Sequence, residues 1–293
     1  MKILLTGSGG QLGHELRHTL GLLGHVHAVS SADCDLSDEG AVRSLVRAVR
    51  PDVIVNPAAF TAVDAAETQR DKAFAVNARA PEVLGQEAHA MGALVVHYST
   101  DYVFDGNSST PYVETDAPAP LNVYGESKRA GEQGLLATGA DSLILRISWL
   151  VGSHGNNFAK TMLRLGKDRD TLQVVADQIG APTSASMVAQ ATAHIVRARP
   201  REPNQLGLFH LTGGGHTSWF EYARFVFAHA ARRGAPLAIS PDRVEPIASS
   251  AYPTPAARPR NSRLDCTRFS RAFGMSPPDW TEGVNFVLDQ LCP

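Results

Sequence analysis

The chain has 293 residues, a mass of 31.3 kDa, and 27 Lys and Arg residues against 29 Asp and Glu residues, for a net charge of −2. This length allows a sizeable core in one large domain or two smaller ones, and 43% hydrophobic with 19% charged residues is ordinary for a globular protein. The near-balance of charge argues against electrostatic binding to nucleic acid or to an anionic membrane surface.

The first half of the sequence alternates short apolar runs with amphipathic helical patterns. Strands are predicted for the apolar runs 3–5, 26–29, 53–55, 94–98 and 143–147. Helices are predicted for 12–20, 42–49 and 70–91, and from about residue 124. Strands that are apolar throughout and separated by helices indicate an α/β fold with a doubly wound parallel sheet.

The alternation weakens after Trp149. Helices are predicted for 158–165, 187–199, 220–232 and 280–291, and a strand for 172–175. Residues 236–259 contain six prolines, which predict an extended and irregular segment. Such a segment suits a surface connection or a substrate-binding role equally well.

The three cysteines, Cys34, Cys266 and Cys292, are too few and too widely spaced for a disulfide framework. The N-terminal apolar run 3–5 is too short for a signal peptide, and no run approaches the roughly 20 apolar residues that span a bilayer. We therefore expect a cytoplasmic protein with no membrane partner.

A glycine motif lies directly between the first predicted strand and the first predicted helix. Gly7, Gly10 and Gly13 form GxxGxxG. Glycines at this turn allow the backbone to approach a pyrophosphate closely, and the helix N-terminus offers free N–H groups and a favourable dipole. The spacing alone is weak evidence, because 25 of the 293 residues are glycine, but its placement predicts a dinucleotide phosphate site.

Tyr124 and Lys128 form a YxxxK pattern, which is also common by chance. In a helix the two side chains would lie one turn apart on the same face. An ammonium group there would lower the pKa of the tyrosine hydroxyl from its free value of about 10, which predicts Tyr124 as a general acid. Without a cofactor loop, the same pair is typical of an exposed helix surface.

His14, Glu15 and His18 match HExxH, the helix motif of zinc peptidases in which two histidines bind the metal and the glutamate acts as base. The buried face of the same helix is defined by Leu12 and its i+4 repeats. The two histidines lie about 200° around the helix from that face, so they should point away from the sheet and its cleft. We therefore expect no metal site, and a zinc peptidase is kept as the alternative.

With these motifs in order, together with Ser99 and Thr100, the chain resembles the extended short-chain dehydrogenases/reductases. The similarity extends over essentially the whole length. The matching stretches are 7–13, 52–56, 61–64, 97–106, 120–125, 146–149, 156–160, 177–178, 181–183 and 250–255. The resemblance implies a Rossmann dinucleotide-binding domain over residues 1–150 and a smaller, mainly substrate-binding domain over residues 151–293.

The resemblance also implies the site residues and the reaction. Catalytic roles fall on Thr100, Tyr124 and Lys128. Cofactor contacts fall on Gly7, Gly10, Gln11, Leu12, Gly13, Asp35, Leu36, Ala59, Phe60, Thr61, Tyr98, Tyr124 and Lys128. Substrate contacts fall on Thr100, Asp101 and Trp149. The implied reaction is the NAD(P)H-dependent reduction of dTDP-4-dehydro-6-deoxy-L-mannose to dTDP-L-rhamnose, in which Thr100 polarises the C4 carbonyl and Tyr124 supplies the proton.

The cofactor preference is left open by the second predicted strand. NAD-selective sites usually place an acid at the end of this strand, but here Ser30 and Ser31 follow it, with Asp33 and Asp35 beyond. No arginine follows that could hold a 2′-phosphate. We therefore expect both NADPH and NADH to be accepted, with a sugar nucleotide as the other partner and no nucleic acid. The oligomeric state stays open, with a homodimer as one candidate.

Other activities occur on related folds. A sugar-nucleotide 4,6-dehydratase would be expected to carry Asp-Glu after the threonine, whereas here Asp101 is followed by Tyr102. An epimerase keeps its cofactor bound and returns the hydride, so stoichiometric consumption of NAD(P)H would exclude it. A non-catalytic regulatory subunit is disfavoured by the intact Thr100, Tyr124 and Lys128.

Overall fold

A parallel sheet with helices on both faces forms the frame of the molecule, which a computed structural model describes over residues 1–200 and 202–292. The strands in this part of the chain are β1 (Lys2–Leu5), β2 (His25–Ala28), β3 (Val53–Asn56), β4 (Leu94–Thr100), β5 (Ser142–Ile147), β6 (Leu150–Val151), β7 (Leu172–Val175), β8 (Ile179–Gly180), β9 (Thr183–Ser184), β10 (Gly207–His210), β11 (Thr217–Ser218) and β12 (Val244–Ile247).

The α-helices in the same residues are α1 (Gln11–Gly21), α2 (Glu39–Val49), α3 (Val63–Ala66), α4 (Arg70–Phe74), α5 (Ala80–Met91), α6 (Val123–Ala137), α7 (Phe158–Asp168), α8 (Ala185–Ala198), α9 (Trp219–Arg232), α10 (Thr267–Phe273) and α11 (Trp280–Leu291). One π-helical turn, Ala75–Arg79, joins α4 to α5, so the single helix predicted for 70–91 is interrupted once. Within the described ranges, none of these helices combines the length and the hydrophobicity needed to cross a membrane.

The central sheet has the strand order β2-β1-β3-β4-β5-β10, and all of its pairings are parallel. The order reverses between β1 and β3, which opens a crevice at the carboxyl ends of these two strands. The predicted α/β class with a doubly wound parallel sheet is confirmed.

Helices bury the two faces of this sheet in separate cores. On one face Leu12 and Leu16 of α1 pack with Ile195 of α8. On the other face Val42 of α2 and Leu84 of α5 are fully buried. The predicted buried face of α1 is therefore correct. The inner strands β3, β4 and β5 are almost wholly buried because both of their sides are covered, whereas the edge strand β2 alternates exposed and half-buried residues.

Residues beyond 150 build a second core and also return to the first sheet. The helices α7, α9 and α11 pack with β7 and β12 in the second core. In contrast, α8 packs against α1, and β10 extends the central sheet beside β5. The division of roles at residue 150 stays a prediction. The structure adds that the central sheet and its helices are completed by later parts of the chain.

The proline-rich segment 236–259 is not wholly irregular. Its residues Val244–Ile247 form β12, which pairs with β7 in a two-stranded sheet. Pro246 lies within this strand, where the pairing on one side only tolerates a residue without a backbone N–H. These four residues are extended, as predicted, but they are regular instead of irregular.

Candidate active site

A cavity of about 950 Å³ lies at the carboxyl ends of the sheet strands. Its walls come from the loops that follow β1 to β5 and from the start of α6. All of the site residues predicted from the sequence line it: Gly7, Gly10, Gln11, Leu12, Gly13, Asp35, Leu36, Ala59, Phe60, Thr61, Tyr98, Thr100, Asp101, Tyr124, Lys128 and Trp149. The fold therefore brings these residues together, although they are spread over 143 positions of the chain (7 to 149).

The glycine motif permits two close backbone approaches at the crevice. Gly7 has a φ of +58°, and a Cβ there would lie 2.7 Å from the Cα atom of Ala58 in the loop after β3. A Cβ on Gly13 would lie 2.0 Å from the carbonyl oxygen of Gly7. Both positions therefore require glycine, which lets α1 begin directly behind the loop.

The N-terminus of α1 has free hydrogen-bond donors. Its N-cap is Gly10, and no side chain accepts from the first-turn amides. In contrast, Asp38 caps α2 and Asn122 caps α6 through side-chain oxygens. The amides of Gln11 and Leu12 can thus meet an external anion, which fits the diphosphate of a dinucleotide.

The two aspartates after β2 close local turns. The backbone N–H and the hydroxyl of Ser30 both donate to Asp33 Oδ2, at 2.8 and 2.7 Å. These bonds hold the pKa of Asp33 below its usual value, so a negative charge stands beside Ser30 in the cavity wall. Asp35 accepts in the same way from Ser37.

The wall formed by Phe60 is held by a residue that the sequence reasoning missed. Asn77 accepts from the Phe60 N–H at 2.8 Å and donates to the Phe60 carbonyl oxygen at 3.0 Å. It also donates to the hydroxyl of Ser127 on α6 at 3.0 Å. Asn77 lies in the π turn, a feature often found at functional sites. No sequence motif marks it, because its role depends on contacts 17 and 50 residues away.

The helix α6 presents Tyr124 and Lys128 to the cavity one turn apart, as predicted. Asn122 begins this helix by accepting from the Gly125 N–H at 2.8 Å. A Cβ on Gly125 would lie 2.2 Å from the Tyr102 carbonyl oxygen, so the glycine allows α6 to approach the turn after β4. This approach sets the Tyr102 ring edge-to-face against Tyr124, with ring centroids 5.6 Å apart.

The predicted lowering of the Tyr124 pKa is not observed. Burial raises the pKa of Tyr124 to about 12, while a hydrogen bond with Thr100 opposes the rise. The ammonium of Lys128 instead donates to the Tyr98 carbonyl oxygen at 2.6 Å. It also lies 3.3 Å from His97 Nε2. Burial lowers the pKa of Lys128 to about 8, and the nearby Glu132 carboxylate opposes that change.

Neutral His97 completes the surroundings of Lys128. Burial and the Lys128 charge hold the pKa of His97 well below its usual value. His97 Nδ1 lies 3.2 Å from the Asn56 carbonyl oxygen and 3.1 Å from Asn56 Nδ2, and the tautomer of the ring decides whether Nε2 accepts from Lys128. With the Tyr98 carbonyl oxygen and His97 as its protein contacts, Lys128 keeps at least one of its three hydrogens for a ligand.

Thr100 and Asp101 lie at the end of β4, beside Tyr124. The Thr100 hydroxyl donates to Asp101 Oδ1 at 3.1 Å, and Asp101 Oδ2 has no partner among the described residues. Asp101 is only 2% exposed, and burial raises its pKa to about 6. Oδ2 is itself buried, and the Ser262 side chain opposes the rise in pKa, so a ligand hydroxyl reaches this oxygen only if the Asp101 side chain turns toward the cavity.

A pair of stacked tryptophans joins the central sheet to the second core. Trp149 follows β5 with a φ of +46°, and its ring stacks on Trp219 of α9 with centroids 3.5 Å apart and an interplanar angle of 12°. A Cβ on Gly180 would lie 2.5 Å from the Trp149 ring, so glycine is needed there. Both tryptophans line the cavity. Trp219 was not predicted, because no motif surrounds it.

Arg258, Arg260 and Arg263, which follow the proline-rich segment, do not line the cavity. Arg258 forms an ion pair with Asp64 at 2.9 Å. Arg263 donates to the Ser109 carbonyl oxygen at 2.7 Å. At least two of the three are thus engaged in holding neighbouring loops.

A glycine loop after β1, a threonine at the end of β4 and a Tyr–Lys pair on the next helix define an extended short-chain dehydrogenase/reductase. Within that class, the chain belongs to the family described as the RmlD substrate binding domain, whose model matches residues 1–292.

Relatives and solved structures are similar over nearly the whole chain. It is 49% identical to the dTDP-4-dehydrorhamnose reductase of Escherichia coli K12, with 99% of this chain and 98% of the relative covered. A Clostridium acetobutylicum dTDP-4-dehydrorhamnose reductase structure is 37% identical, with a TM-score of 0.91 and 99% of both chains covered. The enzyme from Bacillus anthracis, solved in complex with NADP, is 34% identical with a TM-score of 0.90 and the same coverage.

Proposed function

We propose that this chain reduces dTDP-4-dehydro-6-deoxy-L-mannose to dTDP-L-rhamnose with NADPH or NADH, the last step of dTDP-L-rhamnose synthesis. The observation that carries the proposal is the convergence of Thr100, Tyr124 and Lys128 on the cavity that also contains the free amides at the start of α1. The reductases named above supply the substrate and the reaction by similarity.

The cofactor is assigned to the crevice between β1 and β3. Gly7, Gly10 and Gly13 with the amides of Gln11 and Leu12 would hold the diphosphate. Asp35 and Leu36 would contact the adenine end, and Ala59, Phe60, Thr61 and Tyr98 the middle of the cofactor. Tyr98 would do so by its ring or backbone, because its hydroxyl bonds to Thr192 of α8 at 2.7 Å. The free hydrogen of Lys128 would bind the nicotinamide ribose, together with Tyr124.

The sugar nucleotide is assigned to the side of the cavity nearer the second core. Thr100, Asp101 and Trp149 would contact it. We keep the division of the chain at residue 150 that the sequence predicts. Residues 1–150 would mainly bind the cofactor, and residues 151–293 mainly the substrate. Support comes from Trp219 of α9, which stacks on Trp149 and shares the cavity wall.

The protein groups account for the proton transfer. A nicotinamide held in the crevice would supply the hydride for the C4 carbon of the ketone. Tyr124 is protonated at neutral pH, because its pKa is about 12, and its hydroxyl hydrogen passes to the C4 oxygen as negative charge develops there. The Thr100 hydroxyl beside it has one hydrogen, which would turn from Asp101 Oδ1 to the same oxygen and stabilise that charge. One hydride and one proton convert the ketone to the alcohol.

Two other activities give different observable results. An epimerase would retain its cofactor and show no net oxidation of NAD(P)H. A 4,6-dehydratase needs a base after the threonine and aspartate, and Tyr102 occupies that position. Solved structures of both kinds match this chain at 20% identity, which reflects the shared fold.

The test is oxidation of NADPH and of NADH by the purified protein with dTDP-4-dehydro-6-deoxy-L-mannose, followed at 340 nm, with the product identified by mass and NMR as dTDP-L-rhamnose. Equimolar cofactor oxidation and product are expected. Absence of oxidation with both cofactors would remove the proposal. A homodimer remains a prediction, which sedimentation of the purified protein measures.

A further inference from the structure

The segment 152–157, between β6 and α7, lies against the glycine loop although the two are about 145 residues apart in the chain. His154 Nε2 donates to the Gly9 carbonyl oxygen at 3.0 Å. Asn157 Nδ2 donates to Gln11 Oε1 at 2.9 Å and to the Gly152 carbonyl oxygen at 2.7 Å. Two side chains of this segment therefore hold the loop and the first residue of α1.

The bond from His154 fixes a peptide group that would otherwise be free to rotate. In the Gly9–Gly10 peptide, the carbonyl oxygen accepts from His154, and the N–H donates to the Gly7 carbonyl oxygen at 3.0 Å. Glycines on both sides of a peptide group allow many orientations, so bonds at both ends restrict it strongly. The orientation of this peptide sets where the following amides of Gln11 and Leu12 point.

The His154 ring is itself held by the helix that it helps to position. It stacks on His14 of α1 with ring centroids 4.4 Å apart and an interplanar angle of 6°. His14 belongs to the HExxH motif, and His18 contacts it edge-to-face at 5.4 Å. Neither His14 nor His18 lines the cavity. The structure thus gives His14 a packing role beside the glycine loop.

We propose that His154 is a positioning residue for the cofactor, acting through Gly9 to hold the glycine loop in the conformation that binds a diphosphate. The inference rests on the proposed function, because it requires a dinucleotide at this loop. His154 is exposed at the surface of the segment, so its contribution is to loop conformation rather than to the core. Loss of one net hydrogen bond that orders the loop should weaken binding about fivefold.

The test measures the dissociation constants and release rates of NADPH and NADH by quenching of tryptophan fluorescence. His154→Ala is expected to weaken binding of both cofactors about fivefold, mainly through faster release, while kcat at saturating cofactor and the KM of the sugar nucleotide stay within about twofold. His154→Gln retains a side-chain N–H donor and should recover most of the affinity. His194→Ala, an exposed histidine of α8, serves as the matched control and should bind like the unmodified protein.

Two results would overturn the inference: cofactor affinity of His154→Ala within twofold of the unmodified protein, or an equal loss in the glutamine and alanine variants. The second result would assign the effect to the ring stack instead of the hydrogen bond. Failure of the proposed function looks different, since the unmodified protein would then oxidise neither NADPH nor NADH with the sugar nucleotide, whatever its affinity for them.

Discussion

Replacement of Asp101 by asparagine should make the protein less active and remove a pH-dependent loss of stability. Burial raises the pKa of Asp101 from 3.8 to about 6, and Oδ2 lacks a partner among the described residues. A difference of about 2 pKa units corresponds to about 3 kcal/mol of unfolding free energy at neutral pH. The site thus keeps a carboxylate at a cost to folding, which is consistent with a role in substrate binding.

The direction of the pH effect follows from the raised pKa. Below pH 3.8 the Asp101 carboxyl is protonated in the folded and unfolded chain alike, and the penalty is absent. Between pH 3.8 and about 6 the unfolded chain releases the proton while the folded protein retains it, so the unfolding free energy falls as the pH rises. Above about pH 6 the full penalty remains.

The assay is chemical denaturation of both proteins at several pH values from 4 to 7.5. The unfolding free energy of Asp101→Asn should gain about 3 kcal/mol relative to the unmodified protein across this range. The net stability gain of the variant will be smaller than this removed penalty, because the buried amide N–H groups of asparagine lack partners and cost about 1–3 kcal/mol. Asp71→Asn removes an exposed carboxyl and should follow the unmodified protein. A stability difference that does not change with pH would refute the reasoning.

Four further outcomes are expected. Tyr124→Phe should lower kcat by about 10²–10⁴ and raise the cofactor dissociation constant no more than about fivefold, since one hydrogen bond to the ribose is lost; near-normal turnover would show that the proton comes from another group. Because the pKa of Lys128 is about 8, the KM for the cofactor should rise between pH 7 and 9 as the ammonium loses its charge. Lys128→Met should bind the cofactor weakly at every pH in this range, and the same rise of KM with pH in the variant would contradict the prediction. The unmodified protein should prefer either cofactor by less than about tenfold in kcat/KM, and Asp33→Asn should shift that ratio about fivefold toward NADPH by removing a charge beside Ser30. Trp149→Phe should raise the KM for the sugar nucleotide with little change in Tm, and the opposite pattern in a melting curve and a substrate titration would assign Trp149 to packing alone.

Local sequence predicted the central sheet and its glycine loop because the patterns that indicate them lie within single strands, helices and turns. The apolar runs that became β1 and β5 are buried on both faces, so their composition alone indicates parallel strands. The placement of Gly7 between a strand and a helix indicated the phosphate loop, and the Tyr124 and Lys128 spacing is a property of one helix. The family resemblance then associated these motifs with one site.

Tertiary structure alone decided the features that depend on contacts between distant residues. Asn77 supports Phe60 only because a π turn faces the loop after β3, and Trp219 reaches the cavity only because the second core packs beside β5. The pKa of Tyr124 is raised rather than lowered because its hydroxyl is buried, while the Lys128 ammonium bonds to the Tyr98 carbonyl oxygen. A spacing of four residues sets which helix face two side chains share, but burial and the partners of an ammonium group are set by every element packed around it.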